Sequence, residues 1–169
     1  MADKSIPQKL LNTLFEYRNG VLYWKINKPY SKYKAGDKAG RTVRNGYIQV
    51  CIDGNRLLAQ QIIFKMFNGY IPNIIDHING NVADNRVENL RSVTQSQNCY
   101  NSKISTRNKS GVKNVCWVKA SNKWHVQVSL NKKQQSFGFF ESLELADLVA
   151  TEARNKYHGE YVNHGVLND

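Results

Sequence analysis

Two dipeptides of the kind that close tight hairpins, Asn19-Gly20 and Asp53-Gly54, each sit between short apolar segments, and they set the scale of what the first part of this 169-residue chain can build. Asn, Asp and Gly reach left-handed backbone conformations at little cost, so residues 14–17 are expected to pair with 21–24, and residues 47–52 with 56–58. Between the hairpins, residues 28–40 (KPYSKYKAGDKAG) are rich in lysine, carry Pro and Gly, and read as an exposed loop or arm. The run LLAQQIIFKMF then predicts a short helix stopped by Asn68-Gly69, with Pro72 just beyond. No apolar run approaches the roughly 20 residues of a membrane span, and the start MADKSIPQKLLN lacks the pattern of a signal peptide. Cys51, Cys99 and Cys116 include no C-x-x-C pair, which argues against a disulfide framework and against a Cys-rich zinc site. A soluble protein of a reducing cytosol is the expectation.

Charge narrows the partner. The chain holds 24 Lys+Arg and 13 Asp+Glu, a net +11, while 41% hydrophobic and 11% aromatic residues suffice for a core and exclude global disorder. Residues 1–66 carry 12 basic and 4 acidic groups, residues 67–101 carry 2 and 3, and residues 102–169 carry 10 and 6, so two basic lobes flank a near-neutral middle. From residue 102 to 140 there are eight Lys/Arg and no acid, interleaved with Trp117, Trp124 and Phe137. Scattered solvated lysines are the plain alternative; the aromatic interleaving favours a polyanion, nucleic acid foremost.

The same stretch predicts structure. Residues 112–118, 124–130 and 134–139 alternate as strands of a three-stranded antiparallel sheet, and Leu143, Ala146, Val149, Ala150, Ala153 and Tyr157 recur at helical spacing after Ser142 as N-cap. Residues 102–110 (SKISTRNKS) are polar and basic and read as a linker. The expected division is therefore 1–101, with 102–110 joining it to 111–163.

The middle segment, IIDHINGNVADNRVENLRSVTQSQNCYN, carries the chemistry. Ile74-Ile75 reads as a strand presenting Asp76 and His77, residues 89–93 as its return, and Thr94-Gln95-Ser96-Gln97 as a capping box opening a helix that bears Asn98. Such a ββα unit can bring two oxygen ligands to one hard cation beside an imidazole, and Mg²⁺ suits one or two protein oxygens with water and phosphate completing the shell. The competing reading is a surface turn whose asparagines only cap local backbone.

D-H-x-x-G-N-x-x-D-N-R-x-x-N-L-R followed by T-x-x-x-N, from Asp76 to Asn98, resembles the HNH (ββα-metal) endonucleases of the phage and intron-encoded homing type. The resemblance implies an α+β fold with a β-rich leader and a ββα core at about 72–101. It makes His77 the general base, Asp76 and Asn98 the metal ligands, and Asn89 the residue that ties the loop and helps orient the histidine. It implies Mg²⁺, with Mn²⁺ as a possible substitute, and hydrolysis of double-stranded DNA to 5′-phosphate and 3′-hydroxyl ends, one strand per site. Gln60-Gln61 stand where relatives often show His-Arg.

Residues 110–163, with S-G-V-K-N-V-C-W, K-W-H-V-Q-V and F-G-F-F-E-S-L-E-L-A, resemble the plant ethylene-response-factor (APETALA-type) DNA-binding domain, a small three-stranded sheet packed on one helix. The residues expected on DNA are Arg86, Arg91, Arg107, Lys109, Lys113, Trp117, Lys119, Trp124, Gln127 and Lys132. Alternation separates Trp124 from Gln127, so both reach DNA only through a twist or bulge, and core packing is the other reading for each tryptophan. Double-stranded DNA is the expected partner, with no membrane and no protein partner, as monomer or dimer, in the host cytoplasm if phage-encoded. The alternative function is a catalytically idle DNA-binding regulator.

Overall fold

Both turn dipeptides close hairpins, with φ of +44° and +85° at Asn19-Gly20 and +47° and +83° at Asp53-Gly54. The computed structural model describes residues 6–27, 33–130 and 132–164 and is α+β, as expected. The link between the strands expected at 124–130 and 134–139 and the loop expected at 28–40 lie partly outside the described residues. The chain divides into two compact units, Met1–Val93 and Thr94–Asp169. Among the described residues no helix is long and apolar enough to cross a membrane.

The first unit runs α1 (Gln8–Leu14), β1 (Phe15–Arg18), β2 (Val21–Trp24), β3 (Arg41–Thr42), β4 (Ile48–Ile52), β5 (Asn55–Leu58), α2 (Ala59–Asn68), β6 (Ile75–His77) and β7 (Leu90–Ser92). Strands β1–β2, β3–β4–β5 and β6–β7 form three small antiparallel sheets. Their apolar faces share one core in which Leu11, Phe15, Leu22, Val50, Leu57, Ile62 and Ile63 are fully buried. Helix α2 supplies Ala59, Ile62 and Ile63 from one face, and Gly69 at φ +83° ends it by returning its N–H to the Lys65 carbonyl at 2.9 Å. The Gln61 side chain accepts from Leu58 N at 3.0 Å and Gln60 is buried, so this pair caps and packs α2. Helix α1 and strand β3 were not expected. The first has a single buried residue, Leu11, and no side-chain cap, and it is held by tertiary contacts such as Gln8 Nε2 to Met66 O at 2.9 Å.

The second unit contains α3 (Gln95–Tyr100), β8 (Val115–Val118), β9 (Lys123–Leu130), β10 (Lys133–Phe140) and α4 (Leu143–His158). The expected capping box opens α3: Thr94 Oγ1 accepts from Gln97 N, and Gln97 Oε1 accepts from Thr94 N. The sheet order is β10–β9–β8, all antiparallel, with a bulge between Ser136 and Gly138. Ala146, Ala150 and Ala153 on α4 have side chains small enough to let the helix close on Val115, Val126 and Val128. Ser142 caps α4 by accepting from Leu145 N at 3.2 Å.

The polar stretch 102–110 is tied into this unit. Asn108 Nδ2 donates to Val112 O at 2.8 Å, and Ser110 Oγ lies 2.8 Å from Val115 O. Lys113, expected on DNA, instead spends its three ammonium protons on the carbonyls of Tyr100, Ser102 and Asn163 at 2.8, 2.5 and 3.0 Å. Burial pushes its pKa down to about 8, and the Arg154 charge adds to this. Arg154, 1% exposed, donates to Lys113 O at 2.6 Å, and the His158 ring stacks on Tyr100 with centroids 3.7 Å apart.

His158 makes this cluster acid-sensitive. Its Nε2–H donates to Ser129 O at 3.0 Å, and its Nδ1 is buried with no partner among the described residues, so protonation would create an unsatisfied buried donor. Burial lowers its pKa, the Ser129 carbonyl opposes this, and Lys113 and Arg154 reinforce it. The unfolded chain takes up the proton near pH 6.5 while the folded chain does not, so stability held above that pH is lost below it. Thermal unfolding of the full chain followed by circular dichroism between pH 7.5 and about 5.5 should show a falling midpoint. His158→Phe, which keeps a ring against Tyr100, should show a weaker acid dependence.

Candidate active site

Strands β6 and β7 pair with Asp76 opposite Arg91 and His77 opposite Leu90. Directly opposed residues share a sheet face, so Arg91 meets Asp76: its Nε and Nη2 each lie 2.9 Å from Asp76 Oδ2. Both groups are largely out of water, which makes each the condition for burying the other. Arg91 was expected on DNA; its guanidinium is committed to the Asp76 carboxylate.

His77 is 4% exposed and Asn85 2%, and His77 Nε2 lies 3.2 Å from Asn85 Oδ1. Asn85 Nδ2 donates to Ala83 O at 3.3 Å, which leaves Oδ1 as the acceptor. With the amide in that orientation, the contact is made by the tautomer that carries its proton on Nε2, the one whose lone pair is on Nδ1. Burial lowers the His77 pKa, against the Asn85 hydrogen bond and the charges of Asp76 and Asp84, so the neutral ring is favoured at neutral pH.

The loop between the strands is held by its own amides. Asn89 is buried: its Oδ1 accepts from Asn79 N at 3.0 Å, its Nδ2 donates to Asn79 Oδ1 at 3.0 Å and Asp84 O at 2.7 Å, and its carbonyl accepts from Ile78 N at 2.9 Å. It ties the loop, while the side chain on the imidazole is that of Asn85. Asn85, which the sequence pattern does not single out, lies inside the D-N-R triplet, in the irregular loop after β6 where no strand or helix period relates it to His77. Arg86, also expected on DNA, forks onto Asp84 at 2.8 and 2.7 Å, and this holds the Asp84 carboxyl far below the usual carboxylate range.

The leader braces this loop from outside. Tyr17 Oη accepts from Val87 N at 3.0 Å. Gly20 at φ +85° sits so close that a Cβ there would fall 2.8 Å from Arg86 N and 3.0 Å from Asn85 C. Glycine is thus required twice at that turn, for its conformation and for the approach of the loop that holds Asn85.

The other expected residues lie in the second unit. Asn98 is half-buried on α3. Trp117 and Trp124 are register partners whose rings meet edge to face, centroids 4.8 Å apart, on the face that also buries Val126 and Val128. Gln127 is exposed on the opposite face, so the sheet does not present the two tryptophans and Gln127 together. Lys119 and Lys132 are exposed in the two turns, and Arg107 and Lys109 are exposed in the 102–110 stretch.

Among the described residues no three His, Cys, Asp or Glu side chains stand together as a metal cluster. The donors that fit a cation here are oxygens, the Asp76 carboxylate first, and such a sparse set suits a hard ion that keeps most of its water.

Comparison with known proteins gives the family. A model described as HNH endonuclease matches residues 57–100, which run from β5 through α2, β6 and β7 to α3. Protein 3.8 of Escherichia phage T7 is 33% identical over 103 residues, covering 59% of this chain and 83% of that protein. No solved structure matches. With the paired strands, the buried Asp76-His77 dyad and the asparagine-tied loop inside the matched span, the chain belongs to the family of phage Protein 3.8 and carries an HNH endonuclease domain.

Proposed function

We propose that the protein is a metal-dependent endonuclease that hydrolyses a phosphodiester of double-stranded DNA, nicking one strand per active site. The observation that carries this reading is the buried His77 imidazole, held 3.2 Å from Asn85 and next in sequence to the Asp76 carboxylate. His77 Nδ1 takes the proton from the attacking water, and a ring kept neutral by burial is ready to do so near pH 7. Asn85 acts through the ring, holding its tautomer and angle. Asp76 would hold the cation, Mg²⁺ or its substitute Mn²⁺, and the resemblance names Asn98 as a second oxygen donor. When bound, that ion supplies Lewis acidity toward the phosphate and the leaving 3′ oxygen. The products are 5′-phosphate and 3′-hydroxyl ends.

The second unit is proposed as the DNA-binding module, of the ethylene-response-factor kind. What supports this is a three-stranded antiparallel sheet backed by one helix, together with the acid-free run of eight basic residues from 102 to 140. Lys113 is taken out of that surface by its three carbonyl bonds, while Arg107, Lys109, Lys119 and Lys132 remain exposed. The protein would act where it meets phage or host DNA, in the host cytoplasm.

Supercoiled plasmid incubated with the protein and Mg²⁺ should give nicked circles, abolished by EDTA; binding without nicking would favour the idle regulator. His77→Ala should lower the nicking rate by about 10²–10⁴ while retaining DNA binding in a gel-shift assay. Equal loss of both activities in a folded variant would make His77 structural.

Asn85→Ala should lower kcat with little change in KM, because it frees the ring without touching phosphate contacts, and Asn85→Gln should not rescue the rate if the fixed angle matters. Asp76→Asn should raise the Mg²⁺ concentration giving half-maximal nicking by about tenfold or more, in line with loss of a charged ligand from a site with few protein oxygens. An unchanged Mg²⁺ titration would remove Asp76 from the metal.

A further inference from the structure

Residues 107–110 and strand β8 form an open cavity of about 350 Å³ within the second unit, lined by Arg107, Lys109, Lys119, Trp117 and Trp124 among others. Its wall is built: Asn108 Oδ1 accepts from Gly111 N at 2.9 Å, Asn108 Nδ2 donates to Val112 O, and Ser110 Oγ contacts Val115 O, which clips the stretch against the edge strand. Trp124 packs partly into the apolar core, which fixes the inner ring, while Trp117 meets it edge to face and is 42% exposed. Three cations and no acid line the space, and among the described residues Arg107, Lys109 and Lys119 make no ion pair.

We infer that this cavity takes one unpaired nucleotide of a DNA strand, its base against the tryptophans and its phosphates on Arg107, Lys109 and Lys119. The reading rests on the second unit binding DNA and adds what it binds there. Both chemical features of the cavity belong to a nucleotide: a flat aromatic face that stacks on indole, and a neighbouring anion. A paired base inside a duplex offers its edge to a groove and has both faces covered by neighbours, so an exposed indole in an open cavity cannot stack on it. The opposite face of the sheet, with His125, Gln127 and Ser129, is the surface suited to base edges. The stretch 107–110 is thus part of a binding site as well as a connection.

The test uses the full chain with EDTA present, so that no strand is cut, and fluorescence anisotropy with two labelled duplexes of one sequence, one fully paired and one carrying a single unpaired thymine. The bulged duplex should bind about tenfold tighter, the size expected for stacking one base on an aromatic side chain. Trp117→Ala should bring the ratio of the two affinities close to one, and Arg107→Ala combined with Lys119→Ala should reduce it as well. Equal wild-type affinities for the two duplexes would overturn the inference while leaving the DNA-binding reading intact. A preference that survives Trp117→Ala and the double cation variant would also overturn it. Failure to bind either duplex would overturn the DNA-binding reading, and the inference with it.

Discussion

Asn89 is the residue on which the site depends. Its side chain and carbonyl make four hydrogen bonds inside the loop between β6 and β7, reaching Ile78, Asn79 and Asp84. A loop of this length has too little apolar content to fold by burial, so it must satisfy its backbone with its own side chains. Each buried amide group left unpaired would cost about 1–3 kcal/mol, comparable to a good fraction of a small domain's net stability. Once the loop is fixed, Asn85 is fixed in it, and through Asn85 the His77 ring.

The leader gains its purpose from the same constraint. The β1–β2 hairpin turns on Asn19-Gly20 and brings its glycine against the backbone of residues 85 and 86, while Tyr17 takes the Val87 N–H. A hairpin of four-residue strands is marginal alone, and the shared core with α2 is what makes it rigid enough to serve as a brace. Rigidity matters for the general-base role proposed for His77, which needs its geometry held to about half an ångström.

Electrostatics divides the basic residues into two populations. Arg91, Lys113 and Arg154 are drawn into the structure by carboxylates or carbonyls, Arg86 is exposed but paired with Asp84, and Arg107, Lys109, Lys119 and Lys132 remain at the surface. Net charge overstates the cationic surface for this reason, since a long side chain near a buried carbonyl cluster serves the fold first. The Tyr100–His158 stack and the Lys113 bonds also place α3 with the second unit, at a division between Val93 and Thr94 that lies before the polar stretch expected to mark it.

What the sequence alone determined is what rests on local chemistry. Asn-Gly and Asp-Gly turns, the Thr94-Gln97 capping box, the Ser142 cap, the glycine stop after α2 and the alternation in β9 each depend on a few neighbouring residues, and each is legible without tertiary knowledge. The D-H-x-x-G-N-x-x-D-N-R-x-x-N-L-R pattern likewise located the HNH endonuclease domain, because a loop tied by its own amides writes its contacts into one short span. Only the tertiary structure decided that Asn85 faces His77, that Arg91 and Lys113 are spent on protein groups, that the two tryptophans share the helix-covered face, and that α1 exists at all. These outcomes turn on side-chain direction and on partners far apart in sequence, such as Lys113 with Asn163, where neither spacing nor propensity says which of several polar groups a cation will meet.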